Sequence, residues 1–327
     1  MSRAGHRSPT AIRLDQSLVA PFVPERPADG HKGTFGSVLV VAGSLDWTGA
    51  ALLAGSAALR TGAGLVTLAV PASLQPLIVG RVPELMTLGL PETEPWLVEP
   101  AAAVAAIATC QHTAMVVGPG LRPGPMTTEL VLRLVAGHGV SERLGQPGAE
   151  TVPAPAVVDA TALGALADTE EWWERRVRLC VLTPHPGEFG RLDGSPVGPD
   201  AAERVERARS AAARWGVVVV LKGARTVVAA PDGRVATSSS ANPAMGTGGT
   251  GDVLSGVIGS LLGQGVPTWE AACLGVYLHA VAGEHIRERL GDAGLMASDL
   301  LPEIPRVRRE LARQRSSGER RIGFTPR

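Results

Sequence analysis

Residues 242–265 read NPAMGTGGTGDVLSGVIGSLLGQG, and the fold and chemistry of the chain are organised around them. From Gly246 to Gly251, four of six residues are glycine; Asp252 follows, then the apolar run Val253 to Leu262. This pattern predicts a loop feeding a helix N-terminus. Glycines let the main chain approach a ligand closely. The first amides of a helix lack internal partners, and the macrodipole makes that end mildly positive. Loop and helix end together form a site for a phosphate in transit. An aspartate in the first turn ordinarily just caps it. Beside an anion site it repels phosphate, which points to a chemical role, the acceptance of a proton from an attacking hydroxyl. A flexible turn with an N-cap is the plainer alternative.

Outward from this stretch, two kinds of segment alternate. Ser37 to Ala42, Leu65 to Val70, Ala114 to Val117, Ala156 to Val158, Cys180 to Leu182 and Val217 to Leu221 are short apolar runs, the pattern of strands buried on both faces. Thr48 to Thr61, Ala101 to Ala108, Thr127 to Ala136, Ala201 to Trp215, Glu270 to Leu290 and a segment from Pro302 are predicted helices. The Glu–Arg pattern of 203–214 reads as a solvated helix face. Val227 to Ala230 and Arg234 to Ala236 flank Pro231-Asp232-Gly233 as a hairpin. PELM, 83–86, begins a connector. Such alternation implies an α/β fold with a largely parallel sheet covered on both sides. Ligands then sit beyond the carboxyl ends of the strands. Gly43-Ser44, Gly118-Pro119-Gly120, Asp159, Thr183 to Glu188 and Lys222-Gly223 all fall there. Residues 1–25 and 311–327 read as polar tails, with a short helix around Leu14 to Phe22, and Gly137 to Pro155 as an exposed loop.

Composition narrows the function. The chain has 327 residues, 45% of them hydrophobic, enough for a large core. Its 31 basic and 31 acidic residues balance, which gives no reason to expect nucleic acid or an anionic membrane as partner. Aromatics make up only 3%, so base-stacking platforms are not expected, and Trp172 and Trp173 read as a local hydrophobic anchor. No apolar run reaches a membrane span, and residues 1–16 lack the apolar core of a signal peptide. Cys110, Cys180 and Cys273 read as reduced, buried thiols of a cytoplasmic protein. Only two residues are lysine, Lys32 and Lys222, each before a glycine. A chain that otherwise uses arginine keeps lysine where a compact ammonium is needed.

The segments HKGTFGSVLVVAGS (31–44), GAALLAGSAALRTGAGLVTLAVP (49–71), PELM (83–86), VVGPGL (116–121), TPHPGEFGRL (183–192), VVVLKGARTVVAAPDG (218–233), the central stretch and ASDLLPEIP (297–305) occur in this order. Together they resemble the ribokinase-like superfamily. Within it they are most similar to the ADP-dependent (S)-NAD(P)H-hydrate dehydratases, which return hydrated NADH and NADPH (NADHX, NADPHX) to the working cofactors. GTGGTGD alone suits many small-molecule kinases; KGTFG, TPHPGEF and ASDLLP are more specific. The resemblance runs from about Arg26 to Pro305, without the epimerase half that some members carry.

The resemblance implies a three-layer α/β/α domain over 26–310, with a mostly parallel central sheet. It implies NADHX or NADPHX as substrate, ADP as phosphoryl donor, Mg2+, and a homo-oligomer, up to a tetramer. Asp252 would be the catalytic base. The amides of Gly248, Gly249, Thr250 and Gly251 would hold the phosphate. Lys222, Gly223, Ala224, Arg225 and Thr226, with Gly251, match the nucleotide stretch. Ala51, Gly120, His185 and Asp252 match substrate contacts, Glu188 a water-mediated magnesium contact and Lys32 a contact to a cofactor phosphate. Where the family often has a second acid after Asp159, this chain has Thr161, and its 137–151 loop is long. A vitamin or sugar kinase of the same fold is the alternative reading, and a non-catalytic nucleotide-binding regulator a third.

Overall fold

The computed structural model describes residues 11–136 and 153–322, the last eight of these by backbone alone. The stretch 137–152, which holds most of the expected exposed loop, lies outside them.

The strands are β1 (Ile12–Leu14), β2 (Ser37–Val41), β3 (Leu65–Pro71), β4 (Met86–Leu90), β5 (Glu92–Glu94), β6 (Leu97–Val98), β7 (Ala114–Val117), β8 (Ala156–Val158), β9 (Cys180–Leu182), β10 (Val218–Leu221), β11 (Val227–Ala229) and β12 (Val235–Ser238). The helices are α1 (Gln16–Val19), α2 (Thr48–Thr61), α3 (Gln75–Ile78), α4 (Pro100–Ala108), α5 (Pro125–Ala136), α6 (Thr161–Ala167), α7 (Pro186–Asp193), α8 (Ala201–Trp215), α9 (Thr250–Gly263), α10 (Thr268–Leu290) and α11 (Leu300–Ile322). Ten strands form one sheet in the order β1-β12-β11-β10-β9-β8-β7-β2-β3-β4. Within this sheet only the β10–β11 and β11–β12 pairs are antiparallel, and β11–β12 is the expected hairpin.

The apolar strand runs serve two cores. Val38 and Val40 of β2 join the cluster beneath α2, α9, α10 and α11, whereas Leu39 and Val41 join the one beneath α4, α5, α6 and α8. β7 and β10 divide the same way. With a helical layer on each side, the central strands β7 to β10 have no wet face, so strict polar alternation is absent from them. α9 packs directly on α2. A Cβ at Gly256 would overlap the Ala54 carbonyl, so only glycine permits this approach. Trp172 is 1% exposed and packs edge-on against Trp173 and at a tilt against Trp215, an anchor as expected.

Three expectations are corrected. Residues 12–14, assigned to a loose tail, pair in parallel with β12 as the sheet edge. Three residues are too few to carry a period. PELM does not open a connector: Met86 begins β4, the opposite edge. The terminal helix runs past 310 to Ile322, and Leu311 is buried in its core.

Candidate active site

The parallel strands deliver their carboxyl ends to one side of the sheet, and four charged residues from separate parts of the chain meet there. Asp159 follows β8, Lys222 follows β10, Glu188 stands in the first turn of α7 and Asp252 in the first turn of α9. Lys222 Nζ donates to Asp159 Oδ1 at 2.8 Å and lies 3.9 Å from Glu188 Oε2. Ser255 Oγ, on the next turn of α9, donates to Asp159 Oδ2 at 2.6 Å. Asp159 is 1% exposed, so both its oxygens are engaged away from water. Burial works against the Lys222 charge, but Asp159 and Glu188 outweigh it and hold the ammonium above its ordinary pKa.

Asp252 has the opposite environment. Burial, reinforced by the charge of Asp159, pushes its carboxyl up to about 6, with Lys222 opposing. A carboxylate poised there is ionised at neutral pH yet basic enough to take a proton. It sits in the first turn of α9, which no side chain caps. Gly249, at φ 92°, is the N-cap residue. Left-handed backbone and no Cβ at Gly249 leave the first amides of α9 free to face a ligand. The loop is braced from behind. A Cβ on Gly249 would press on Leu53 of α2 and on Ala297 of the ASDLLP segment. Thr250 Oγ1 donates inward to the Met245 and Thr247 carbonyls.

On the β10–β12 side lies a cavity of about 440 Å³, lined by Lys222, Gly223, Ala224, Thr226, Thr250 and Gly251, among others. The structure thus joins Lys222, Gly223, Ala224 and Thr226 to the glycine loop. Arg225 is not in that wall; it takes φ 60° and its N–H donates to the Ser240 carbonyl. On the other side a cavity of about 520 Å³ is lined by Thr161, His185, Gly187 and Glu188. His185 is the N-cap of α7, its Nδ1 accepting from the Gly187 and Glu188 amides, while Glu188 Oε2 accepts from the His185 N–H. Burial raises the Glu188 carboxyl. Ala51 is fully buried in the core under α2. Gly120, at φ 64°, packs against the Trp47 carbonyl.

Lys32 does not join this cluster. The 31–36 loop leads into β2 and therefore lies at the amino ends of the strands. Gly33 and Thr34 line a cavity with Gly263 and Gly265, beyond the far end of α9. That end is roughly 16 Å from Asp252 at 1.5 Å per helical residue.

Three residues escaped the sequence reading. His279 of α10 lines the Lys222 cavity, and its Nε2–H donates to the Thr250 carbonyl at 2.8 Å. Burial pushes it down to about 4, so it is neutral. Arg204, expected on a solvated face, is 7% exposed and donates to the Leu221 and Lys222 carbonyls at 3.3 and 3.1 Å. Ser255, three residues beyond Asp252, occupies a position an apolar helix gives no reason to single out.

The cluster's residues fit a magnesium ion only as one carried by a nucleotide. Asp159 is fully engaged, Thr161 Oγ1 donates to the Leu121 carbonyl, and no group of three His, Cys, Asp or Glu among the described residues could hold a metal. Of the four clustered residues, Glu188 is the carboxylate that lines the Thr161–His185 cavity. Magnesium characteristically keeps its waters and takes one or two carboxylates plus phosphates.

Comparison with known proteins agrees with this geometry. Residues 38–306 match the NAD(P)H-hydrate dehydratase family. A bifunctional NAD(P)H-hydrate repair enzyme of Moorella thermoacetica is 43% identical over 296 residues, 88% of this chain and 52% of that protein. The chain therefore spans about half the length of that relative. An ADP-dependent (S)-NAD(P)H-hydrate dehydratase of Neisseria meningitidis is 36% identical over 93% of this chain and 94% of its own. The crystal structure of an ADP/ATP-dependent NAD(P)H-hydrate dehydratase from Bacillus subtilis, co-crystallised with ATP and Mg2+, superposes with a TM-score of 0.75 at 33% identity, covering 92% of this chain and 99% of that one. With this match across most of its length, and a ribokinase-like three-layer fold, the chain belongs to the NAD(P)H-hydrate dehydratase family.

Proposed function

We propose that this chain catalyses the ADP-dependent dehydration of the S epimer of hydrated NADH and NADPH, yielding NADH or NADPH, AMP and phosphate. The observation that carries the reading is Asp252: a half-buried carboxylate raised to about 6, in the first turn of an uncapped helix beside the cavity that Lys222 lines. Hydroxide is a poor leaving group at neutral pH and phosphate a good one. Asp252 takes the proton from the ring hydroxyl as its oxygen attacks the terminal phosphorus of ADP, and AMP departs. The amides of Gly248 to Gly251 and the Lys222 ammonium face the charge on the moving phosphoryl group. Little covalent chemistry falls to the protein; positioning and charge supply the rate. The ring nitrogen lone pair then expels phosphate, and loss of a proton from the adjacent carbon restores the double bond.

Lys222, Gly223, Ala224 and Thr226 hold the nucleotide, with Arg225 shaping their turn. Gly120, His185 and Asp252 face the substrate, and Ala51 supports them from the core. Magnesium, bound to ADP and to Glu188 through water, would neutralise phosphate charge. The active species is a homo-oligomer in the cytoplasm. Exposed Leu77, Val79 and Met86 beside the open β4 edge support self-association.

The test is incubation with hydrated NADH and ADP. Return of nicotinamide absorbance with equimolar AMP and phosphate supports the reading. A stable phosphoester product would instead support the small-molecule kinase, and no turnover at all would sink both.

A further inference from the structure

Loop 43–48 crosses the carboxyl end of β2 and carries exposed apolar groups that the site has not used. Trp47 is 49% exposed and Leu45 51%, and Met296, next to the Ala297 that braces Gly249, is 63% exposed. Trp47 is held by its backbone. Its carbonyl accepts from Ala50 N–H, its N–H donates to the Ser44 carbonyl, and Gly120 packs against both its carbonyl and its Cβ. A rigid mount that leaves half of an indole in water, in a chain with so few aromatics, costs hydrophobic stabilisation unless something covers the ring.

The topology says what covers it. Along the sheet the nucleotide-side cavity lies over β10–β12, Asp159 ends β8, and Trp47 follows β2 beyond β7. In-line transfer places donor and acceptor on opposite sides of the moving phosphorus. The acceptor therefore approaches Asp252 from the β7–β2 side, where Trp47 stands. Reach is sufficient. Leu53 touches Gly249, and Trp47 precedes it by six residues, roughly 9 Å along α2. An indole spans much of that gap.

We infer that Trp47 is a specificity-determining wall of the acceptor site and stacks on the hydrated nicotinamide ring, leaving the ADP site untouched. This rests on the dehydratase reading and assigns a residue to the substrate half of the same site.

The experiment compares wild type, Trp47→Ala and Trp47→Phe in steady state with hydrated NADPH and with hydrated NMNH, the mononucleotide that lacks adenine. Trp47→Ala raises KM for both acceptors about tenfold, the loss of one ring-on-ring contact, with KM for ADP unchanged. Trp47→Phe recovers most of the loss. An unchanged acceptor KM in Trp47→Ala overturns the inference. So does an equal rise in KM for ADP, or a loss confined to the dinucleotide, which would put the indole on the adenine. A wild-type chain inactive on hydrated cofactor defeats the dehydratase reading itself. In that case quenching of tryptophan fluorescence by NADP+, present in wild type and reduced in Trp47→Phe, still tests whether the indole meets the ring; equal quenching overturns it.

Discussion

Asp252 is costly to the fold, and that cost predicts its mutants. Its folded-state pKa, about 6, lies above the ordinary 3.8, so at neutral pH the protein holds an ionised carboxylate in surroundings that disfavour it. Asp252→Asn removes the charge and keeps the shape. The variant loses about 10²–10⁴-fold in kcat, the usual share of a general base. It also gains about 1–3 kcal/mol of stability in urea unfolding at pH 7. For the wild type, kcat/KM falls as pH drops below about 6, where Asp252 takes up its proton. Lys222 was legible in the sequence because it directly follows a plain strand run, and Asp252 because it stands between a glycine loop and an apolar helix run. Asp159 was marked as a strand end but given no role, because its bond to Lys222 spans 63 positions and no local pattern reports it. His279 left no local trace, since its partner is a carbonyl brought near only when α10 packs on α9.

At the scale of elements, α8 shows how a charged face can mislead. Helical period alone calls Arg204 wet, yet the carbonyls at the end of β10 need donors, and the guanidinium supplies them from behind. Arg204→Met leaves both carbonyls without that donor. It costs about 1–3 kcal/mol of stability, and loosening the Lys222-Gly223 turn raises KM for ADP more than KM for the hydrated cofactor; steady-state kinetics separate the two. The α2–α9 contact is equally specific. In Gly256→Ala the new methyl meets the Ala54 carbonyl, and neither backbone can give way freely. Thermal unfolding reports a loss of about 1–3 kcal/mol, with kcat reduced because α9 carries Asp252. The long strands and helices were legible because each fills several periods. The edge strands β1 and β4 were not, since one is too short to show a pattern and the other begins inside a motif read as a connector.

At the scale of the molecule, the half-buried Asp252 and His279 oppose each other as they titrate. Asp252 binds its proton more readily folded than unfolded, so its contribution to stability falls as pH rises from about 4 to about 6. His279 resists its proton when folded: its contribution is complete above 6.5 and is lost as pH falls toward 4. Across that window the slopes have opposite sign and offset. In Asp252→Asn the His279 slope is no longer offset by Asp252, so its melting temperature falls more steeply than that of wild type between pH 6.5 and 4; parallel curves would show that the two groups do not titrate as described. Lys32 is the whole-molecule misreading. Its motif pointed to phosphate, but a loop that enters a parallel strand lies at the pole away from the one the strand exits toward.

The same placement gives the chain one side-chain amine at each end of its sheet. Lys32 is open to solvent, while Lys222 is 19% exposed and clasped by acids. An amine-directed reagent therefore decorates the remote pole first and spares the working one. With no third lysine to confuse the peptide map, acylation of Lys222 becomes a readout of whether the cavity it lines is occupied, obtainable without any turnover.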